Sequence, residues 1–392
     1  PARGVGSAAS GCKHVECCAL MTVLSMAMAI ALATTAYVVL RWPRFRCFGD
    51  TPLPRATFLA ILFTSGLDVG LIMFPLIDFE TYASGVDYQF ASPLVIEFGF
   101  WGGLVWGFYI LTTLYFCALE PRLQLFQRPA VKFVHNLVVI ATCAFTAYLF
   151  LAYLPSYLPG ISQAVTYSLV VLVVGLAVLS STRLTVLKYL SIGSTLLFLC
   201  LIGVVWLASG VGLRQAWSEL AGLSAYGQHL GRFLTPINDY HGFYLSWWFA
   251  WSIMIGQFVA RFTNGIEAWK LALAVLIIPS IPIALWFSVL FGLFKIGQPM
   301  ATGLNLMMMG VGVLFVINSL DSLTRLYAQN LGWTAERLGF KTYMLAHMTL
   351  LLGLVALYQF TPLKIEWIGM IVIAVYVAVY VLILRHRALL SV

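Results

Sequence analysis

Long apolar runs, separated by short clusters of charged, Gly and Pro residues, make up almost the whole chain. A hydrocarbon core of about 30 Å takes roughly 20 consecutive apolar residues in a helix. On that measure eleven spanning helices are predicted, near residues 17–40, 54–79, 93–118, 130–153, 162–182, 188–209, 238–262, 267–293, 303–326, 342–360 and 364–384. The interval 211–235 carries Arg214, Gln215, Glu219, His229 and Arg232 and reads as an exposed or interfacial connection. One helix, then five, then a polar divider, then five more is the order that inverted repeats produce, because an odd number of spans per repeat turns the second copy over. The pattern predicts an all-α polytopic membrane protein with a five-plus-five inverted-repeat fold and one extra N-terminal helix. Its parts are an N-terminal segment with the extra helix (1–53), a first five-helix repeat (54–210), a polar external connection (211–237), a second repeat (238–385) and a cytoplasmic tail (386–392). No sequence repeat is visible, so the symmetry rests on hydropathy, with a chance count of eleven as the alternative.

Composition excludes the soluble classes. Of 392 residues 61% are hydrophobic and 9% charged, and the mean hydropathy of +0.95 leaves too little polar surface to cover a water-soluble fold. Seven cysteines show no CxxC-type pairing and imply neither a metal site nor a disulfide. The net charge of +8 matters less than where the basic residues fall. If the first loop, with Arg41, Arg44, Arg46 and Arg55, is cytoplasmic, alternation places Arg122, Arg128, Lys132, Arg183, Lys188, Arg261, Lys270, Arg325, Arg337, Lys341, Arg385 and Arg387 on the same side. That is the bias of cytoplasmic loops, so the N-terminus is expected outside and the C-terminus inside. No cleavable signal stands out and the chain starts at Pro1 rather than Met, so a missing or processed N-terminus is expected.

Three stretches carry chemistry. In "FTSGLDVGLIMFPLIDFETY" (63–82), Gly66, Asp68, Gly70 and Pro75 interrupt the second span. Backbone freed at membrane depth is tolerated where it lines a cavity or meets protein. A carboxylate there marks a cation or proton pathway, the alternative being that Asp68 hydrogen-bonds a neighbouring helix. In "FWGGLVWGFYILTTLY" (100–115), a continuous helix puts Trp106 and Tyr109 on one face and Trp101 about 140° from Trp106. Alone this reads as an interfacial aromatic belt. In "GFYLSWWFAWSIMIGQFVARFTNG" (242–265), Trp248 and Trp251 are three apart and form one wall, with Trp247 turned to another face. Tryptophan faces attract cations, and cages of them suit a quaternary ammonium; simple packing is the alternative.

Here the sequence resembles the betaine/choline/carnitine transporter family. "NDYHGFYLSWWFAWSIMIGQFVARFTNG" is similar to that family's D-W-T-x-F-Y-W-x-W-W-x-x-W followed by G-x-F-x-A-R-x-S-x-G, with Asp239, Phe243, Tyr244, Trp247, Trp248, Trp251, Gly256, Phe258, Ala260, Arg261 and Gly265 in register. "WFSVLFG" (286–292) continues the resemblance. "NSLDS" (318–322) resembles T-S-A-D-S, "SGLDVGL" (65–71) the glycine-rich broken helix, and "FWGGLVWGFY" (100–109) the aromatic helix. The resemblance implies a trimethylammonium cage of Trp101, Trp106, Tyr109 and Trp248, with Trp247 and Trp251 along the substrate path. It also implies a coupling-ion site at the Leu67 backbone with Asn318 and Ser319, and a structural role for Asp321. Departures stand beside the matches. Tyr240 and Leu245 replace tryptophans, Ile253 replaces a proline, Asp68 takes a glycine position, and Asp78–Phe79 replaces Glu-Pro. The family has twelve spans, so a divergent member without the first span is expected.

The function expected from these readings is secondary active transport, by alternating access, of a small quaternary-ammonium or related amine such as choline, betaine or carnitine. Backbone from Gly66 to Gly70 would receive the polar end of the substrate, and Asp68 would pair with a cationic substrate or carry a proton. Tyr244, Trp247 and Arg261 are assigned to the path or gate. No cofactor is expected beyond Na+ or H+ coupling. The expected setting is the lipid bilayer of a bacterial inner membrane, with a homotrimer or a membrane-complex partner and no nucleic acid. The rival reading is a transport-inactive scaffold or sensor subunit; no nucleophile–base pair or metal cluster points to an enzyme.

Overall fold

Helices start and stop where apolar runs give way to Gly, Pro and charge. The computed structural model describes residues 14–65, 69–158, 160–297 and 301–390. Helix α1 (His14–Arg41) ends on a basic residue that complements the helix C-terminus. The predicted span 54–79 is divided: α2 (Arg55–Ser65) and α3 (Val69–Met73) lead to α4 (Pro75–Ser84), which starts at a proline with no N–H to donate. Next come α5 (Pro93–Trp101), α6 (Gly107–Ala118), α7 (Pro129–Tyr157), α8 (Gln163–Ser180) and α9 (Leu184–Ser209). The polar connection contains α10 (Leu213–Gly222). The second half holds α11 (Asp239–Ala260), α12 (Ala268–Ile277), α13 (Ser280–Ile296), α14 (Thr302–Leu331), α15 (Phe340–Phe360) and α16 (Ile365–Arg385).

Among the described residues nine helical segments are long and apolar enough to cross a membrane. The chain is thus an all-α integral membrane protein. The two predicted spans outside that set are the divided 54–79 segment, whose longest apolar piece is Arg55–Thr64, and α11. Tyr, Trp, Ser and Gln side chains lower the hydropathy of α11, yet it is buried on nearly every side, as a central helix is. It packs chiefly on α6, α16 and α1, while α14 packs on α7. Outer helices instead expose apolar side chains such as Leu196, Leu207 and Val377, the surface a bilayer covers.

One short sheet closes an end of this bundle. Strand β1 (Arg46–Phe48) pairs antiparallel with β2 (Asn264–Glu267), which follows α11. Beyond it Gly49 N donates to Thr263 O at 3.0 Å and Thr51 N to Arg261 O at 2.8 Å. A Cβ on Gly49 would lie 2.2 Å from the Ala260 carbonyl oxygen, so only glycine permits that approach.

Candidate functional site

A helix break positions the aromatic residues. Residues 93–118 do not run as one helix: α5 and α6 are joined by a 3-10 turn at Gly103–Trp106. Gly102 is extended and Gly103 has φ +61°, left-handed backbone that glycine adopts without strain. The angular relation of Trp101 and Trp106 expected from a continuous helix therefore does not apply. Polar contacts hold the turn instead: Trp106 Nε1 donates to Trp101 O at 2.9 Å, Gly103 N to Ser280 Oγ at 3.0 Å and Leu104 N to the Tyr226 hydroxyl at 3.1 Å. Tyr226 lies in the polar connection, as does Phe233, whose ring fills the space a Cβ on Gly99 would need. That connection braces the break.

Rings from both sides of the break converge on Trp248. Its Nε1 donates to Phe100 O at 2.8 Å. Its ring centroid lies 5.8 Å from Trp101, 5.9 Å from Trp106 and 5.9 Å from Tyr109, and Trp106 and Tyr109 are 5.2 Å apart. All four side chains are buried, in edge-on or tilted geometry that leaves ring faces turned toward different directions. Centroid spacings of this size are those of aromatic rings packed against one another. Trp247, expected on another face, also borders Trp101, at 5.6 Å, and Tyr244 lies 5.6 Å from Trp101. Trp251 is buried one turn further along α11, its Nε1 without a hydrogen-bond partner.

The expected ion site is only partly within view. Gly66, Leu67 and Asp68 lie outside the described residues. Gly70 is buried in α3, where Trp286 Nε1 donates to Leu71 O at 3.1 Å, a carbonyl that Pro75, four residues on and without an N–H, cannot serve. Asn318 and Ser319 are fully buried on α14; Asn318 Oδ1 accepts from Ser191 Oγ at 3.2 Å, and its Nδ2 has no partner. Asp321 is paired: it accepts from Ser180 Oγ and from Arg325 Nη2, the latter at 3.0 Å.

Arg261 sits at the opposite end of α11 from Asp239. Its Nη1 donates to Gln329 Oε1 and its Nη2 to Asn330 Oδ1 at 2.8 Å. Asn330 Nδ2 donates in turn to Gln257 Oε1 at 3.2 Å, which lies 2.7 Å from His135 Nε2. This network ties the end of α11 to α14 and α7.

Two carboxylates that the sequence reading did not assign to the site flank the aromatic cluster. Asp78 on α4 appeared only as a departure from the family pattern. It accepts from the Tyr240 hydroxyl on both oxygens at 3.1 Å and from the Tyr244 hydroxyl at 3.4 Å. Glu97 on α5 is fully buried; the Tyr82 hydroxyl and the Trp101 Nε1 are the donors that act on it, and neither closes a hydrogen bond of good geometry. The available signal was a lone acid in the apolar run "PLVIEFGFW", four residues before Trp101 and so on the same helix face.

No family model matches the chain. It is 30% identical over 167 residues to Glycine betaine transporter 1 of Vibrio parahaemolyticus, a stretch covering 38% of this chain and 30% of that relative. A glycine betaine/proline/choline/ectoine transporter of the same organism is 30% identical over 90 residues, 18% of this chain and 16% of the relative. Glycine betaine transporter OpuD of Bacillus subtilis is 40% identical over 53 residues, 14% of this chain and 10% of the relative. A solved Na+-coupled sialic acid symporter in a substrate-bound outward-open state superposes with a TM-score of 0.45 at 13% identity, over 91% of this chain and 82% of its own. The matched stretch spans 30% or less of the length of each of these curated relatives. Over those stretches the chain is similar to glycine betaine and choline transporters, the family whose motifs residues 239–265 resemble.

Proposed function

We propose that the chain is a secondary transporter of a small quaternary-ammonium compound, working by alternating access in a bacterial plasma membrane. The observation that carries this reading is the convergence of Trp101, Trp106 and Tyr109 on Trp248 from two different helices. A quaternary ammonium donates no hydrogen bond, so electron-rich ring faces are the chemistry left to recognise it. Hydrogen bonds fix two of the indoles by their Nε1 atoms, which holds the faces in place before a ligand arrives. Betaine- and choline-transporter names among the partial relatives support the same substrate class. Arg261, bound to two amide side chains on α14, acts as a latch between helices rather than as a ligand.

The test is uptake of labelled choline, betaine and carnitine by purified protein in proteoliposomes, under a sodium gradient and separately under a pH gradient. Uptake of one of them, sharply weakened by Trp248→Leu, is the expected result. No uptake together with no tryptophan-fluorescence response to any of the three would sink the transporter reading and favour a scaffold or sensor subunit.

A further inference from the structure

Glu97 is a carboxylate inside the bundle with no counter-charge. It is 0% exposed, and neither oxygen has a donor in hydrogen-bonding geometry. A carboxylate withdrawn from water this way either takes up a proton or needs a positive charge beside it. The other carboxylate that acts on it, Asp78, has the same sign. The remaining titratable groups around the pair are phenols: Tyr82 on α4, Tyr88 in the turn that follows, Tyr157 at the end of α7, and Tyr240 and Tyr244 on α11. His241 on α11 stacks on Phe100 at 4.3 Å and accepts the Ile237 N–H on Nδ1, so its ring is not a counter-charge. Among the described residues, no Lys or Arg acts on either carboxylate.

A second observation points to a ligand. The Tyr82 hydroxyl and the Trp101 Nε1 are the two donors that act on Glu97, yet neither closes a hydrogen bond of good geometry to it or to any other group. Asp78 differs, since Tyr240 and Tyr244 already donate to it. Open oxygens belonging to a carboxylate and a phenol, with no imidazole or thiolate among them, suit a hard cation.

We infer that Glu97, with Tyr82 and Asp78, binds a small monovalent cation, a sodium ion or a proton, next to the aromatic cluster. This rests on the proposed quaternary-ammonium site, and charge balance links the two. With both carboxylates ionised the pair carries two negative charges; an ammonium on the Trp101 and Trp248 faces supplies one positive charge and the small cation, sodium or a proton taken up by one carboxylate, supplies the other. Glu97 and Trp101 stand one helical turn apart on α5, so each ligand favours the other.

Labelled-sodium binding to the full chain in detergent tests the site directly, and choline-induced tryptophan fluorescence across sodium and pH series tests the coupling. Wild-type choline affinity is expected to rise about tenfold with one of the two cations. Sodium dependence names sodium, and pH dependence names the proton. Glu97→Gln removes that dependence, and Glu97→Asp restores part of it. Trp248→Leu abolishes the choline response but leaves labelled-sodium binding and the pH response of the intrinsic fluorescence, so failure of the aromatic cage alone is distinguishable. Glu97→Gln protein with wild-type sodium binding and wild-type sodium and pH dependence overturns the inference. Where that variant is not monodisperse, Tyr82→Phe is read in its place with the same two outcomes.

Discussion

The Tyr240 phenol donates to both oxygens of Asp78, at 3.1 Å each. Both residues depart from the pattern the sequence resembles, with Tyr in place of Trp and Asp in place of the Glu of Glu-Pro. Their hydrogen bonds join α4 to α11. Tyr240→Phe removes this donor inside the bundle, where a hydrogen bond is worth about 0.5–3 kcal/mol. The expected outcome is a lower melting temperature in detergent. An unchanged melting curve would show that Tyr244 alone satisfies Asp78.

Gly256 lets α11 and α6 touch. A Cβ there would lie 2.1 Å from Thr112 Oγ1 and 2.9 Å from the Thr112 backbone carbon, and the backbone cannot swing aside. Thr112 Oγ1 also donates across the contact to Ser252 O at 2.9 Å. Small residues of this kind let membrane helices approach closely. Gly256→Ala is therefore expected to destabilise by about 1–3 kcal/mol through overpacking and to shift the Trp248 cluster, about two turns away along α11. Reduced thermal stability together with weakened choline binding checks it, and trimming the neighbour with Thr112→Ala should recover only part.

The Asp321–Arg325 pair holds the ends of two helices together. Arg325 Nη2 donates to Asp321 Oδ1 at 3.0 Å and to the Ser180 and Arg183 carbonyls at 3.1 Å, which leaves the end of α8 capped from α14. Removing one partner strands a buried charge, a loss of about 3–5 kcal/mol. Arg325→Ala is expected to fall from the membrane fraction or to aggregate on extraction, whereas the double change Arg325→Met with Asp321→Asn should be milder. Equal behaviour of the single and double variants would argue against the pair.

Much of this architecture was legible because bilayer thickness is a blunt constraint. The long helices α7, α9, α14, α15 and α16 fall close to the apolar runs that predict them. The aromatic cluster was legible for a different reason, as Trp101, Trp106, Tyr109 and Trp248 lie in two stretches that match one family in order. What stayed hidden depends on contacts distant in sequence. The Gly102–Gly103 pair permits a break, but nothing local says that the span does break there, because the break is held by Ser280 and Tyr226. The polar connection read only as an exposed or interfacial link for the same reason, its bracing of Gly99 and Leu104 being visible only in three dimensions. Glu97 passed as a single charge in an apolar run, its lack of a positively charged partner being a property of the folded chain.

Arg261 supplies the last prediction. Its guanidinium spans two amide oxygens on consecutive residues, Gln329 and Asn330, at the end of the bundle away from Asp78. A lysine keeps the charge but not the planar fork, so it cannot hold both acceptors in the same geometry. Loss of one such charged hydrogen bond, about 1.5–3 kcal/mol, corresponds to roughly a ten- to hundredfold change in the balance between a latched and an unlatched end. The Trp248 cluster lies more than two helical turns away along α11 and is untouched by the change. Arg261→Lys is therefore expected to alter the rate of transport while the choline affinity read by fluorescence stays within about twofold, since well-separated sites behave independently. A large loss of affinity with an unchanged rate would place Arg261 on the substrate path rather than at the latch.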